Sequence, residues 1–185
     1  MVLKRTIPIN IPNALTLLRV LLTPLFAIFL IKRLFNHALL VFAIAALSDG
    51  VDGLIARLFR QKTTLGAFLD PAADKLLLVT AFVTLAIQGL IPSWLAVIVI
   101  SRDIVILFGV ALVTITGRTL EPKPSVLSKI TTVAQVACVL SVLLGYNVSG
   151  LDGVKGTLFW VTAGMTVISG LQYIYKGLNI LQEEP

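Results

Sequence analysis

Long apolar runs separated by short polar breaks dominate the chain. Six runs stand out, at about residues 13–32, 37–59, 72–91, 93–116, 126–146 and 157–176. Each is close to the roughly 20 residues that an α-helix needs to cross a bilayer. None shows the strict alternation of a barrel strand, and backbone groups in lipid must be satisfied within the segment, so the pattern predicts helices. The expected fold is an all-α integral membrane protein, a six-transmembrane-helix bundle forming one domain over residues 13–178. Residues 1–12 read as a short interfacial arm, with Pro8 and Pro12 keeping Ile7–Ile11 out of the first helix. Residues 179–185 form a tail.

The polar interruptions carry most of the information. Asn13, Thr16 and Arg19 recur at i, i+3 and i+6, a stripe expected to face the bundle interior. The second run ends in Ser48-Asp49-Gly50-Val51-Asp52-Gly53, with Asp49 and Asp52 three residues apart on one helical face. A turn over Thr63–Gly66 is expected, and then Asp70 and Asp74 open the third helix with Pro71 in its first turn. A tight turn there would bring all four acids to one locus at the membrane boundary. The fourth run holds Ser101-Arg102-Asp103. Because neighbouring helical residues point in different directions, Arg102 is expected to serve a more distant acid or an anionic ligand rather than Asp103.

Composition fixes the class. The chain is 57% hydrophobic and only 13% charged, against about 25% charged residues in an ordinary soluble domain. Its net charge of +6 fits a positive-inside bias better than nucleic-acid binding. With the N-terminus inside, the inner segments hold Lys4, Arg5, Arg57, Arg60, Lys62, Arg118, Lys123 and Lys176, and the outer ones Lys32, Arg33 and Lys155. That asymmetry predicts an N-in, C-in arrangement with the acids on the cytoplasmic side of the inner membrane. Lys4 and Arg5 precede a full-length span without a small-residue cleavage site, so no cleaved signal is expected. Cys138 is the sole cysteine, which excludes an internal disulfide framework. Trp94, Trp160, Tyr146, Tyr173 and Tyr175 fall near predicted helix ends, as in an interfacial aromatic belt.

Four carboxylates in apolar surroundings need a compensating cation, since each isolated charge costs about 2.5–3.5 kcal/mol even on lenient insertion scales. Carboxylates with no His or Cys nearby are hard ligands that suit Mg²⁺, Mn²⁺ or Ca²⁺, and four exceed what one Mg²⁺ usually takes from protein. Two divalent ions, with Arg57, Arg60, Lys62, Arg102 and Lys129 around them, would suit metal-assisted phosphoryl-group transfer. A small ion or metabolite carrier could use the same acids, but these cluster at one depth instead of lining a path.

The arrangement Asp49-x2-Asp52-Gly53-x2-Ala56-Arg57-x8-Gly66-x3-Asp70-x3-Asp74 resembles the signature of the CDP-alcohol phosphotransferase family at every fixed position. The resemblance extends to the six-helix layout and the Asn13-x2-Thr16-x2-Arg19 stripe. It implies transfer of a phospho-alcohol from a CDP-linked donor to an acceptor hydroxyl, with release of CMP. By the same resemblance Asp49, Asp52, Asp70 and Asp74 would hold Mg²⁺ or Mn²⁺, and Asp74 would also act as general base. Asp49, Asp52, Gly53, Ala56, Arg57, Gly66 and Thr16 would bind the CDP donor. A homodimer is the family's expected state.

Within the family, Ile11-Pro12-Asn13-Ala14-Leu15-Thr16, the run Gly66-Ala67-Phe68-Leu69-Asp70-Pro71 and Leu171-Gln172-Tyr173 resemble the branch that joins CDP-diacylglycerol to glycerol 3-phosphate. Arg102, Lys129 and Arg118 are the expected acceptor-binding residues. Ser101-Arg102-Asp103 and Ser128-Lys129, with Thr131 where a second lysine is usual, look more like the branch whose acceptor is phosphatidylglycerol. A phosphodiester carries less charge than a phosphomonoester and needs fewer cations.

Overall fold

The computed structural model describes residues 11–59, 64–115, 126–145 and 152–182, with side chains over 17–48, 75–109, 126–145 and 153–179. Among the described residues there are six α-helices: α1 (Ile11–Ile31), α2 (Phe35–Phe59), α3 (Thr64–Ile87), α4 (Ser93–Ile115), α5 (Val126–Leu144) and α6 (Asp152–Gln182). The all-helical expectation holds.

Several boundaries differ from the sequence reading. Helix α1 starts at Ile11, so Pro12 sits in its first turn, where the missing N–H has no intrahelical partner to lose. Helix α3 starts at Thr64, which puts Pro71 inside the helix and removes the turn expected over residues 64–66. One lost N–H costs less than unwinding two turns of backbone in an apolar setting, where each unsatisfied group costs several kcal/mol. Helix α6 is 31 residues long, about 46 Å at 1.5 Å per residue, and overruns its predicted span at both ends. Residues 1–10 of the expected arm, the 117–125 connection and the last three tail residues lie outside the described residues.

The chain divides within α3 into two compact units, Met1–Leu77 and Leu78–Pro185. In the first, α1 packs along α2. Phe26, Leu30, Ala38, Val41, Phe42 and Ala45 are buried there, with the Phe26 and Phe42 ring centroids 5.4 Å apart. Arg19, expected to face inward, is buried, and the Thr23 hydroxyl donates to its carbonyl at 2.9 Å. Pro24 continues α1 without ending it.

In the second unit α6 packs on both α4 and α5. The buried face of α5 runs Thr131, Gln135, Cys138, Val139, Val142 and Leu143, spaced as one helical stripe. Polar bonds tie that stripe to α6. The Thr131 hydroxyl donates to the Met165 carbonyl at 3.2 Å, the Thr162 hydroxyl to the Ala134 carbonyl at 3.3 Å, and Gln135 Nε2 to Thr166 Oγ1 at 3.4 Å. Such bonds substitute in a bilayer for the hydrophobic drive that lipid removes.

Two helix ends share one capping geometry. After α1, the Arg33 N–H donates to Leu30 at 2.8 Å and the Leu34 N–H to Phe29 at 2.9 Å. After α3, the Gly89 N–H donates to Ala86 at 3.0 Å and the Leu90 N–H to Leu85 at 2.9 Å. Both are Schellman motifs, which require a left-handed residue after the cap. Gly89 meets that requirement at φ 72°, whereas Arg33 adopts φ 57° with a Cβ in the way.

The outward surface is apolar. Leu17, Leu21, Leu47, Ile87, Leu107 and Trp160 are each at least 60% exposed, far more apolar surface than a soluble monomer presents. Among the described residues, Val126–Leu144 and Gly153–Asn179 are long and apolar enough to cross a membrane. Leu17–Ile31, Phe35–Ser48 and Lys75–Ile87 are apolar but shorter. The Trp94 and Trp160 rings pair at 5.0 Å between centroids, tilted by 34°.

Candidate functional site

The sequence-predicted residues fall into two sets. The first lies on α2 and α3, with Thr16 on α1. Asp49 and Asp52 lie ten and seven residues before α2 ends, and Asp70 and Asp74 lie six and ten residues after α3 begins. Gly53, Ala56 and Arg57 continue along α2, and Gly66 falls in the first turn of α3. The side chains of these residues and of Thr16 lie outside the described ones, as does Arg118 altogether. Among the described residues no group of three or more His, Cys, Asp or Glu could hold a metal ion.

The second set surrounds Arg102, near the middle of α4. The residue is buried, at 5% exposure, and its guanidinium meets side chains from α4, α5 and α6. Nη1 donates to Asp103 Oδ1 at 2.8 Å. Nη2 donates to Ser128 Oγ on α5 at 2.7 Å and to Ser169 Oγ on α6 at 2.9 Å. The Tyr173 ring lies one turn beyond Ser169, its centroid 5.9 Å from the guanidinium carbon, within cation–π range. Gly170 lets α6 approach closely: a Cβ there would sit 3.5 Å from Arg102 Cγ. Nε has no hydrogen-bond partner among the described residues.

The expectation that Arg102 avoids Asp103 is therefore overturned. Adjacent Cβ atoms do diverge, but the arginine arm is long enough to fold its terminal nitrogen back onto the next residue. A charge this far from water favours the nearest counter-charge. Lys129, the other expected acceptor residue, follows Ser128 directly on α5 and is exposed. Asp103, Ser169 and Tyr173 had not been assigned to this cluster. For α6, the i, i+4 spacing of Ser169 and Tyr173 was the available signal, and Tyr173 had been placed in the aromatic belt.

A buried cation held by one carboxylate and two hydroxyls, with Nε–H and one Nη1–H not used in those bonds, can receive an anion. A set of four carboxylates with no imidazole or thiol among them can hold hard divalent ions. Both chemistries suit a phosphorylated substrate.

The comparisons with known proteins agree. The family model for CDP-alcohol phosphatidyltransferase matches residues 9–168. The chain is 35% identical to the cardiolipin synthase (CMP-forming) of Homo sapiens over 95% of its own length, and spans 64% of that relative. It is 33% identical to the CDP-diacylglycerol–glycerol-3-phosphate 3-phosphatidyltransferase of Bacillus subtilis over 94% of this chain and 97% of the other. The enzyme of the same name in Aquifex aeolicus is 32% identical, over 95% and 99%. With the aspartate signature complete and the family match running from residue 9 to residue 168, through the four aspartates and Arg102, the chain belongs to the CDP-alcohol phosphatidyltransferase family.

Proposed function

We propose that this protein transfers the phosphatidyl group of CDP-diacylglycerol to the hydroxyl of glycerol 3-phosphate, releasing CMP. The observation that carries this reading is the register of the four aspartates. On ideal helices Asp49 and Asp52 lie about 15 and 10 Å before the α2–α3 connection, and Asp70 and Asp74 about 9 and 15 Å after it. Two helices returning side by side from a four-residue link would level all four carboxylates. The similarity to enzymes named for this reaction supports the substrates.

The donor set fits two Mg²⁺ or Mn²⁺ ions held by Asp49, Asp52, Asp70 and Asp74. When bound, such ions neutralise charge on the donor diphosphate and on the departing CMP. The acceptor oxygen bonds to the phosphatidyl phosphorus, the diphosphate P–O bond breaks, and CMP leaves with its electron pair. Asp74 takes the proton from the attacking hydroxyl. Gly53, Ala56 and Gly66 leave space for the nucleotide, Arg57 meets its phosphates, and Thr16 completes the donor site. Arg102, Lys129 and Arg118 hold the acceptor phosphate. The domain spans six membrane crossings, N-in and C-in, in the inner membrane with the site toward the cytoplasm, and pairs as a homodimer.

A second reading makes phosphatidylglycerol the acceptor. The Arg102–Asp103 ion pair favours it, because a cation already neutralised suits a singly charged phosphodiester. The purified protein in lipid nanodiscs with Mg²⁺ and CDP-diacylglycerol tests both. CMP release that depends on one acceptor and disappears with EDTA or in Asp70→Asn supports the transfer and names the acceptor. Absence of CMP with either acceptor contradicts it.

A further inference from the structure

We infer that Asp103 is a positioning residue that sets the acceptor's charge preference, acting through Arg102. The inference rests on the proposed transfer reaction and deepens it. Three observations carry it. First, Asp103 Oδ1 lies 2.8 Å from Nη1, and the two side chains are 4% and 10% exposed. At such burial the pair is screened little by water, so the net charge offered to a ligand is close to zero.

Second, the geometry of the fork matters. An arginine offers a phosphate two bidentate faces, Nε with Nη2 and Nη1 with Nη2, and both use Nη2. Here Nη2 serves Ser128 and Ser169 together. An incoming phosphate therefore meets Nε–H and the remaining Nη1–H singly, without the fork. Third, Nε is unpartnered among the described residues inside a buried side chain, so a donor remains for a ligand. With bidentate recognition blocked, charge decides affinity, and Asp103 governs that charge.

Removing the Asp103 charge adds one positive charge to the cluster. The gain scales with the charge of the ligand: two for a phosphomonoester above its second pKa near 6, one for a phosphodiester. The logarithm of the change should therefore be about twice as large for the dianion.

The test uses the full-length protein in nanodiscs with Mg²⁺ and CDP-diacylglycerol, at pH 8. KM is measured for glycerol 3-phosphate and for phosphatidylglycerol; an acceptor that is not turned over is read as a competitive inhibition constant. Asp103→Asn is expected to lower the glycerol 3-phosphate constant ~10-fold and the phosphatidylglycerol constant ~3-fold, following the product of charges. The KM for CDP-diacylglycerol is expected to stay within about twofold, and Asp103→Glu to restore wild-type constants, because the charge and its partner are kept. If Asp103→Asn does not fold, Asp103→Ser removes the same charge with a smaller group. Equal factors for the two acceptors, or a parallel change for CDP-diacylglycerol, would mark a merely structural role and overturn the inference. Turnover with an unchanged acceptor ratio overturns the inference alone. No acceptor-dependent CMP from the wild-type protein overturns it together with the proposed reaction.

Discussion

Replacing Arg102 by Met keeps the volume of the arm and removes three charge-assisted hydrogen bonds, to Asp103 at 2.8 Å, Ser128 at 2.7 Å and Ser169 at 2.9 Å. It also takes the cation away from an Asp103 side chain that is 10% exposed. Breaking a buried pair in this one-sided way costs about 3–5 kcal/mol. Asp103→Leu leaves the cation with its two serines and Tyr173, so about 2–3 kcal/mol is expected. The double replacement removes both charges, and the serine hydroxyls can turn to carbonyls of their own helices. A net loss of about 1–2 kcal/mol is then expected, giving a coupling of roughly 3–7 kcal/mol between the two sites. Unfolding in mixed detergent, followed by the fluorescence of the Trp94–Trp160 pair, reads all four proteins. Losses that add within about 0.5 kcal/mol would refute the pairing, since independent sites behave that way.

Other outcomes follow from local geometry. Gly89→Ala is expected to destabilise by about 1 kcal/mol from backbone strain alone, because nothing lies within 4 Å of the added Cβ. Arg33→Gly, at the matching position after α1, should be neutral or stabilising by up to about 1 kcal/mol in the same unfolding assay. Gln135 is fully buried and its Oε1 has no partner among the described residues. Gln135→Met should therefore be neutral or stabilising by up to about 1 kcal/mol; a loss above about 2 kcal/mol would mean that its 3.4 Å bond to Thr166 matters more than the geometry suggests.

Helix number and type were legible because bilayer-length apolar runs admit few alternatives. The boundaries were less so. Pro12 was read as holding the arm out of the first helix and Pro71 as a first-turn residue of the third, but α1 already includes Pro12 and α3 begins seven residues before Pro71. The aspartate spacing was legible for a different reason: fixed register on two helices is a property of sequence alone. The Arg102 cluster was not, because Ser128 and Ser169 come from distant segments and only packing brings them to Nη2. The Asp103 contact depended on the bend of one flexible arm, which helical periodicity does not encode.

The reaction itself is tested most directly by product stoichiometry. The purified protein is incubated in nanodiscs with CDP-diacylglycerol, Mg²⁺ and isotopically labelled glycerol 3-phosphate, and CMP and labelled lipid are quantified together. One labelled lipid per CMP is expected from the wild-type protein, with both products lost in Asp74→Asn while the protein remains folded. CMP without labelled lipid, or equal yields from wild type and Asp74→Asn, would contradict transfer to glycerol 3-phosphate by this site.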